Sequence, residues 1–340
     1  MEYFRPIAMT DTARPETALV LAGGWCWFDR VEVLSRDGSK GLIAADDLPP
    51  DARDRLTAPR AAFAGLTLDR PRLMGILNVT PDSFSDGGRF HAATAAMAHG
   101  KAMAEAGADL LDIGGESTRP GSADVATGEE IARTVPVIRA LREGGVSIPV
   151  SIDTRKRDVA AAALDAGAAI VNDVAALRYD PELARLVADR GVPICLMHAQ
   201  GDPATMQVDP KYHDVLLDVF DFLVERIDAA VAGGIPRDRI VVDPGIGFGK
   251  TVAHNLALVR GLSLFHSLGC PVLLGASRKR FIGRIAGGAA DANADLRIPG
   301  TVAVTLAGLS QGVQLHRVHD IVEAKQALRL WQAVRVGEEA

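Results

Sequence analysis

The sequence is poor in cysteine. Its 340 residues hold three, Cys26, Cys195 and Cys270, far apart and with no CxxC spacing. That gives no ground for a disulfide framework and reads as buried free thiols in a reducing compartment. Long apolar runs are missing too. None approaches the roughly 18–20 residues of a membrane span, and the opening MEYFRPIAMTDTARPE mixes apolar with charged residues. The expectation is a cytoplasmic protein with no membrane partner. Excess positive charge is likewise absent: the net charge is −6. A nucleic-acid partner is not expected, because its phosphates need a basic field. No GxGxxG follows the first strand, and DPGIGFGK (243–250) lacks the GxxxxGK[ST] arrangement of a phosphate loop.

What is present is a rhythm. From Arg72 onward, apolar runs (RLMGILN, ADLLDIGG, IPVSIDT, AAIVNDV, VPICLMH, RIVVDPG, CPVLLGAS, VQLHRVHD) alternate with Ala-rich amphipathic stretches. Strands apolar throughout are buried on both faces, as in a parallel sheet, and each intervening helix supplies the crossover such a sheet needs. Eight such units predict an α/β fold, a (β/α)8 TIM barrel over residues 71–340; a doubly wound open sheet is the runner-up. Residues 1–70 read as an N-terminal extension with a short hairpin and one helix, and suggest no chemistry.

Each predicted strand carries its polar residues at its C-terminal end: Asn78, the stretch 112–121, Asp153, Asn172 with Asp173, His198, the stretch 243–250, the stretch 275–283, and Arg317 with His319. In a barrel those ends converge on one mouth. Helix capping explains one Asn or Asp per strand, but not Arg317 and His319 either side of an apolar Val318, which period-two alternation puts on the same side. Two chemical zones result. Asp153, Asn172 and Asp243 suit a flat heterocycle with N–H donors along its edge, since each N–H buried unpaired costs about 1–3 kcal/mol. Arg119, Lys279, Arg317 and His319 suit a phosphate or diphosphate. Asn78 offers a neutral oxygen to a Mg2+ already bridged by phosphates. The expected ligand is a heterocycle carrying a diphosphate.

These stretches, in this order, resemble the motifs of the dihydropteroate synthase family: ILNVTPDSFSDGG, DIGGESTRPG, SIDT, VND, LMH, DPGIGFGK, SRKRFIG and RVHD, across residues 72–320. The resemblance implies condensation of 4-aminobenzoate with 6-hydroxymethyl-7,8-dihydropterin diphosphate to give 7,8-dihydropteroate and pyrophosphate, with Mg2+ as cofactor and a homodimer as the assembly. By the same resemblance Asp153, Asn172 and Asp243 hold the pterin edge, with Lys279 against the pterin and Met197 near its ring. Asn78, Arg317 and His319 meet the diphosphate and its metal. A lid beginning at Asn78 and the Thr118-Arg119-Pro120 loop close over the site. Phe84 and Pro120 make the slot for the aminobenzoate ring, and Asp86 lies nearby. Phe248 walls the pterin pocket, and Lys250 begins the next helix facing solvent. His198 is either part of the mouth or structural. Where relatives carry a small hydroxyl residue after Lys279, this chain has Arg280, which either pairs with the aminobenzoate carboxylate or points away and leaves it to backbone N–H groups.

The implied mechanism is dissociative: diphosphate departs, the dihydropterin delocalises the resulting methylene cation near Asp86, Asp153 and Asp243, and the aniline nitrogen attacks. Two rivals are a pterin-dependent methyltransferase barrel working with a corrinoid partner, and a pterin-binding barrel without turnover. The first has no need of the lid or of SRK with RVH. The intact Asn78, Asp153, Lys279, Arg317 and His319 speak against the second.

Overall fold

Along Arg30–Ser35 every second residue is buried, the period that makes a strand with one covered face. In the computed structural model, which describes residues 1–79, 88–117, 124–201 and 206–337 (backbone alone over 88–92), that strand is β4. It lies between β1 (Tyr3–Pro6) and β5 (Gly38–Ala44) in an antiparallel sheet, while β2 (Leu19–Val20) pairs with β3 (Trp27–Phe28). With helix α1 (Pro50–Thr57) these elements enclose a small core of their own around Phe28, Val31 and Leu56.

The next eight strands are apolar on both faces and form one parallel sheet. They are β6 (Arg72–Asn78), β7 (Leu110–Gly114), β8 (Val150–Asp153), β9 (Ile170–Asp173), β10 (Ile194–Met197), β11 (Ile240–Asp243), β12 (Leu273–Leu274) and β13 (Leu315–Val318). Their order is β11-β10-β9-β8-β7-β6-β13-β12, and a parallel bridge between Val242 and Val272 joins the two ends, closing the (β/α)8 barrel. The crossovers are α2 (Gly88–Glu105), α3 (Thr127–Glu143), α4 (Arg157–Asp165), α5 (Glu182–Arg190), α6 (Val215–Ala232) and α7 (Val252–Arg260). After β12 come two short helices, α8 (Arg280–Ala286) and α9 (Ala289–Ala292), before α10 (Ile298–Leu309); α11 (Ile321–Val336) ends the fold.

The barrel interior is plugged from below. Met74, Leu110, Ile170, Cys195, Val241, Leu273 and Leu315 point inward and meet Phe63 and Leu68 from the segment that enters β6. The N-terminal sheet is fastened to the outside of the same barrel. Tyr3 donates to Asp221 at 2.9 Å, the Trp25 indole N–H to the Leu309 carbonyl at 2.8 Å, and the Ser263 hydroxyl to the Pro6 carbonyl at 2.8 Å.

Candidate active site

The plug fixes what lies above it. Side chains in a strand alternate, so the residue two positions beyond each inward apolar residue also points inward. Two positions beyond that plug stand Ile76, Asp112, Asn172, Met197, Asp243, Gly275 and Arg317, and the pairing of Asp153 with Asn172 brings Asp153 to the same level. A dry apolar layer therefore supports a polar one at the C-terminal mouth.

Arg317 is the centre of that layer. Its Nε donates to Asp112 at 2.6 Å and its Nη2 to Asp153 at 2.8 Å. Asp112 also accepts from the Asn172 amide at 3.0 Å, and its other oxygen has no partner among the described residues. Asp243 accepts from the Gly245 N–H at 2.7 Å. Lys279 donates to the Ile246 carbonyl, and its ammonium lies 4.2 Å from the centre of the Phe248 ring. His319 Nδ1 is 2.9 Å from the Ser277 hydroxyl, which the His319 N–H also approaches at 3.2 Å. Gly275 leaves space between Asp243 and Arg317: a Cβ there would sit 3.4 Å from an Asp243 oxygen. Gly245 is obligatory, because at φ +67° a Cβ would lie 1.8 Å from the His198 carbonyl oxygen.

Burial sets the electrostatics. It pushes the Asp153 carboxyl up to about 7, although Arg317 pulls the other way, and it raises Asp243 against the pull of Lys279. It pushes the Lys279 ammonium down to about 7 despite Asp243. For Arg317 burial also works against the charge, but Asp112 and Asp153 outweigh it and hold the guanidinium above its ordinary value. Acids that are hard to ionise beside an amine that is hard to protonate form a site short of hydrogen-bonding and charged partners.

Residues 74–319 match the family model described as pterin binding enzyme. The dihydropteroate synthase of Escherichia coli strain K12 is 40% identical over 279 residues, covering 82% of this chain and 97% of that protein. The chain belongs to the dihydropteroate synthase family. Two solved Xanthomonas albilineans dihydropteroate synthases agree. One holds 4-aminobenzoic acid (50% identity, TM-score 0.76, 82% of this chain and 98% of that one). The other is in complex with 7,8-dihydropteroate (48% identity, TM-score 0.73, 82% and 99%). The family model begins inside β6, so the N-terminal sheet lies outside it.

Of the residues the sequence singles out, Asp153, Asn172, Met197, Asp243, Phe248, Lys279, Arg317 and His319 are all at this mouth. Asn78 ends β6 beside them: a Cβ at Gly114 would stand 3.7 Å from the Asn78 Oδ1 and 3.5 Å from the Asp153 Cβ. Phe84, Asp86, Thr118, Arg119 and Pro120 lie outside the described residues. Arg280 is exposed at the start of α8.

One expectation is corrected. Lys250 does not face solvent. It is 3% exposed, and its Nζ contacts His198 Nδ1 at 2.9 Å and the Phe248 carbonyl at 3.0 Å. Burial pushes it well below the usual lysine value, and its hydrogen bonds tie it to the glycine-rich turn after β11, where three alternate glycines take positive φ. His198 is the packing partner of that lysine, buried edge-on to Phe222, and burial pushes its imidazole down to about 2. Asp112 opens the polar stretch 112–121 but received no role of its own from sequence, and the structure places it in mid-strand on β7. Its signal was parity: in LLDIG it shares the inward face with Leu110.

Proposed function

We propose that this protein condenses 4-aminobenzoate with (7,8-dihydropterin-6-yl)methyl diphosphate, giving 7,8-dihydropteroate and pyrophosphate in folate synthesis. The observation that carries the reading is the polar layer of a family member's barrel, in which Asp153, Asn172, Asp243, Lys279 and Arg317 converge above an apolar floor. Asp153, Asn172 and Asp243 accept from the N–H edge of the pterin, with Met197 below and Phe248 beside its ring. Lys279, with its weakened hold on a proton, donates to the ring's acceptor side. Arg317 leaves its two carboxylates for the diphosphate when the pterin N–H groups take its place. His319, braced by Ser277, meets the same diphosphate. Thr118, Arg119, Pro120, Phe84 and Asp86 take the aminobenzoate side by resemblance.

Magnesium fits this mouth in one way. Among the described residues no group of three His, Cys, Asp or Glu side chains could cage an ion. A single neutral oxygen, Asn78, suits an ion that keeps its waters and arrives on phosphates. Asn78 would hold it, and when bound it neutralises charge on the departing diphosphate. The protein's own contribution is Arg317 and His319 at the leaving group and Asp153 and Asp243 beside the pterin. The carbon–oxygen bond breaks first, the dihydropterin carries the cation, and the aniline nitrogen attacks and releases its proton. Pyrophosphate release on mixing both substrates with Mg2+ tests the activity: release that requires 4-aminobenzoate supports it, and pterin binding without release overturns it. Isotope scrambling within the diphosphate, without aminobenzoate, tests the bond order of events.

A second copy of the chain is the expected partner. On α11, Val322, Leu330 and Val334 are 63%, 65% and 76% exposed at helical spacing, an apolar row with no cover in the single chain. Leu330→Glu should shift a dimer to a monomer by sedimentation. We place the enzyme in the cytosol, consistent with three free, buried cysteines. Residues 1–70 are read as an extension fastened to the barrel at Leu309 on α10 and Asp221 on α6, with no role assigned to it.

A further inference from the structure

We propose that Asp112 is a positioning residue that sets which way the Asn172 amide faces, and so makes Asn172 an acceptor toward the pterin. The inference rests on the reading of Asn172 as a pterin ligand given above. Asp112 is fully buried in mid-strand on β7, within the polar layer and in contact with Asn172 and Arg317. One of its oxygens takes two donors at once, Arg317 Nε at 2.6 Å and Asn172 Nδ2 at 3.0 Å.

The chemistry leaves Asn172 one choice. An atom already accepting from a guanidinium is an acceptor, so the end of the amide that meets it must be the NH2. The Asn172 carbonyl oxygen is thereby turned away from Asp112. A neutral amide without such a neighbour could present either end, and a pterin edge rich in N–H groups would meet a donor in one of the two poses. Asp112 removes the wrong pose before the substrate arrives, a form of preorganisation. It also accounts for an amide at position 172 where an acid would accept equally well: a second carboxylate at 3.0 Å from Asp112 would repel it, whereas an amide can donate downward and accept upward. Its grip on Arg317 at 2.6 Å parks the guanidinium one step below the place where a diphosphate needs it.

A variant set in the full-length protein tests this with the two substrates and with pteroic acid as a binding probe. Asp112→Leu, of similar volume and with no acceptor, should lose about 100-fold in kcat/KM for the pterin diphosphate, with KM for 4-aminobenzoate moving less than about threefold. Asp112→Asn, whose carbonyl still accepts, should stay within about tenfold of the parent. Asn172→Asp alone should lose about 100-fold, but in the Asp112→Asn background the hydrogen bond reverses and at least tenfold of that loss should return. A merely structural Asp112 gives no such rescue. The proposal is overturned by an Asn172→Asp loss equal in both backgrounds, or by Asp112→Leu within threefold of the parent; if Asp112→Leu does not fold, the cycle between positions 112 and 172 decides alone. Asn172→Ala that binds pteroic acid as tightly as the parent overturns the underlying reading of the pterin site instead.

Discussion

Two groups of buried charge meet the C-terminal ends of the barrel strands, one after β7 and β8 and the other drawn from β8, β11, β13 and the segment after β12, and they behave in opposite ways. The first is Glu116, Glu130, Arg155 and Lys156. Lys156 bonds Glu130 at 2.7 Å and Glu116 at 3.1 Å, while Arg155 meets Glu116 at 3.2 Å and Asp124 at 2.7 Å. Burial works against the charges of Glu116, Arg155 and Lys156, yet their partners win: Glu116 is held below its ordinary value, and Lys156 and Arg155 above theirs. The second group is Asp153, Asp243, Lys279 and Arg317. Here burial wins for three of the four, with Asp153 and Asp243 raised and Lys279 lowered. The ingredients are the same, two acids and two bases. In the first group each charge has an oppositely charged partner within the protein; in the second, Arg317 pairs with Asp153, while the hydrogen bonds of Asp243 and Lys279 among the described residues go to backbone groups.

Removing Arg317 should separate the two groups most. Arg317→Met is expected to lower kcat/KM for the pterin diphosphate on the order of 10³-fold, since it takes a charged donor from the developing diphosphate. It also strands Asp112 and Asp153. A carboxyl with a raised folded pKa gives a folded state that holds its proton better than the unfolded chain. Stability is therefore greatest in acid and falls as the pH rises through the window from about 4 to about 7, where Asp153 already titrates. Melting curves of Arg317→Met from pH 5 to 8 should show that fall more steeply than the parent; a pH-independent loss would contradict it. Lys156→Met should do the reverse. It leaves Glu116 and Glu130 without their shared cation, for a stability loss of about 3 kcal/mol, read by urea unfolding. Its kcat should change less than its melting temperature suggests. Should the activity of folded Lys156→Met collapse while stability holds, the first group would belong to the site as well.

The difference between the groups also shows what the sequence can convey. The barrel was legible because strands buried on both faces spell themselves out as apolar runs, and the mouth because polar residues ended those runs. Asp153, Asn172, Asp243 and Arg317 were found that way. Asp112 stood in the polar stretch 112–121 but was given no role, since only the inward parity it shares with Leu110 marks it as part of the barrel interior. Lys250 was misread for a different reason: a lysine after a glycine-rich turn reads as a helix start in water, and only its contacts with His198 and the Phe248 carbonyl reveal its buried seat. The N-terminal sheet left no trace of where it docks, because its ties reach partners more than 200 residues away, as from Tyr3 to Asp221 and from Trp25 to Leu309.

The finest contrast between the two groups is in their titration. Asp153→Asn keeps an acceptor for the pterin but exchanges a charge-assisted bond for a neutral one, a difference of about 1.5–3 kcal/mol at most. A loss of roughly 10- to 100-fold in kcat/KM for the pterin substrate is expected. The parent should show an acid limb in that parameter with an apparent pKa near 7, because protonated Asp153 offers the pterin edge a donor where it needs an acceptor. In Asp153→Asn the limb should flatten or move down toward the next acid, Asp243, whose rise above the usual carboxylate value is also caused by burial. An unchanged limb at pH 7 would overturn the assignment to Asp153, since Lys279, a donor in this reading, would weaken binding on losing its proton and so give an alkaline limb instead. Lys279→Met should move the Asp153 limb upward, because the carboxyl loses a nearby positive charge.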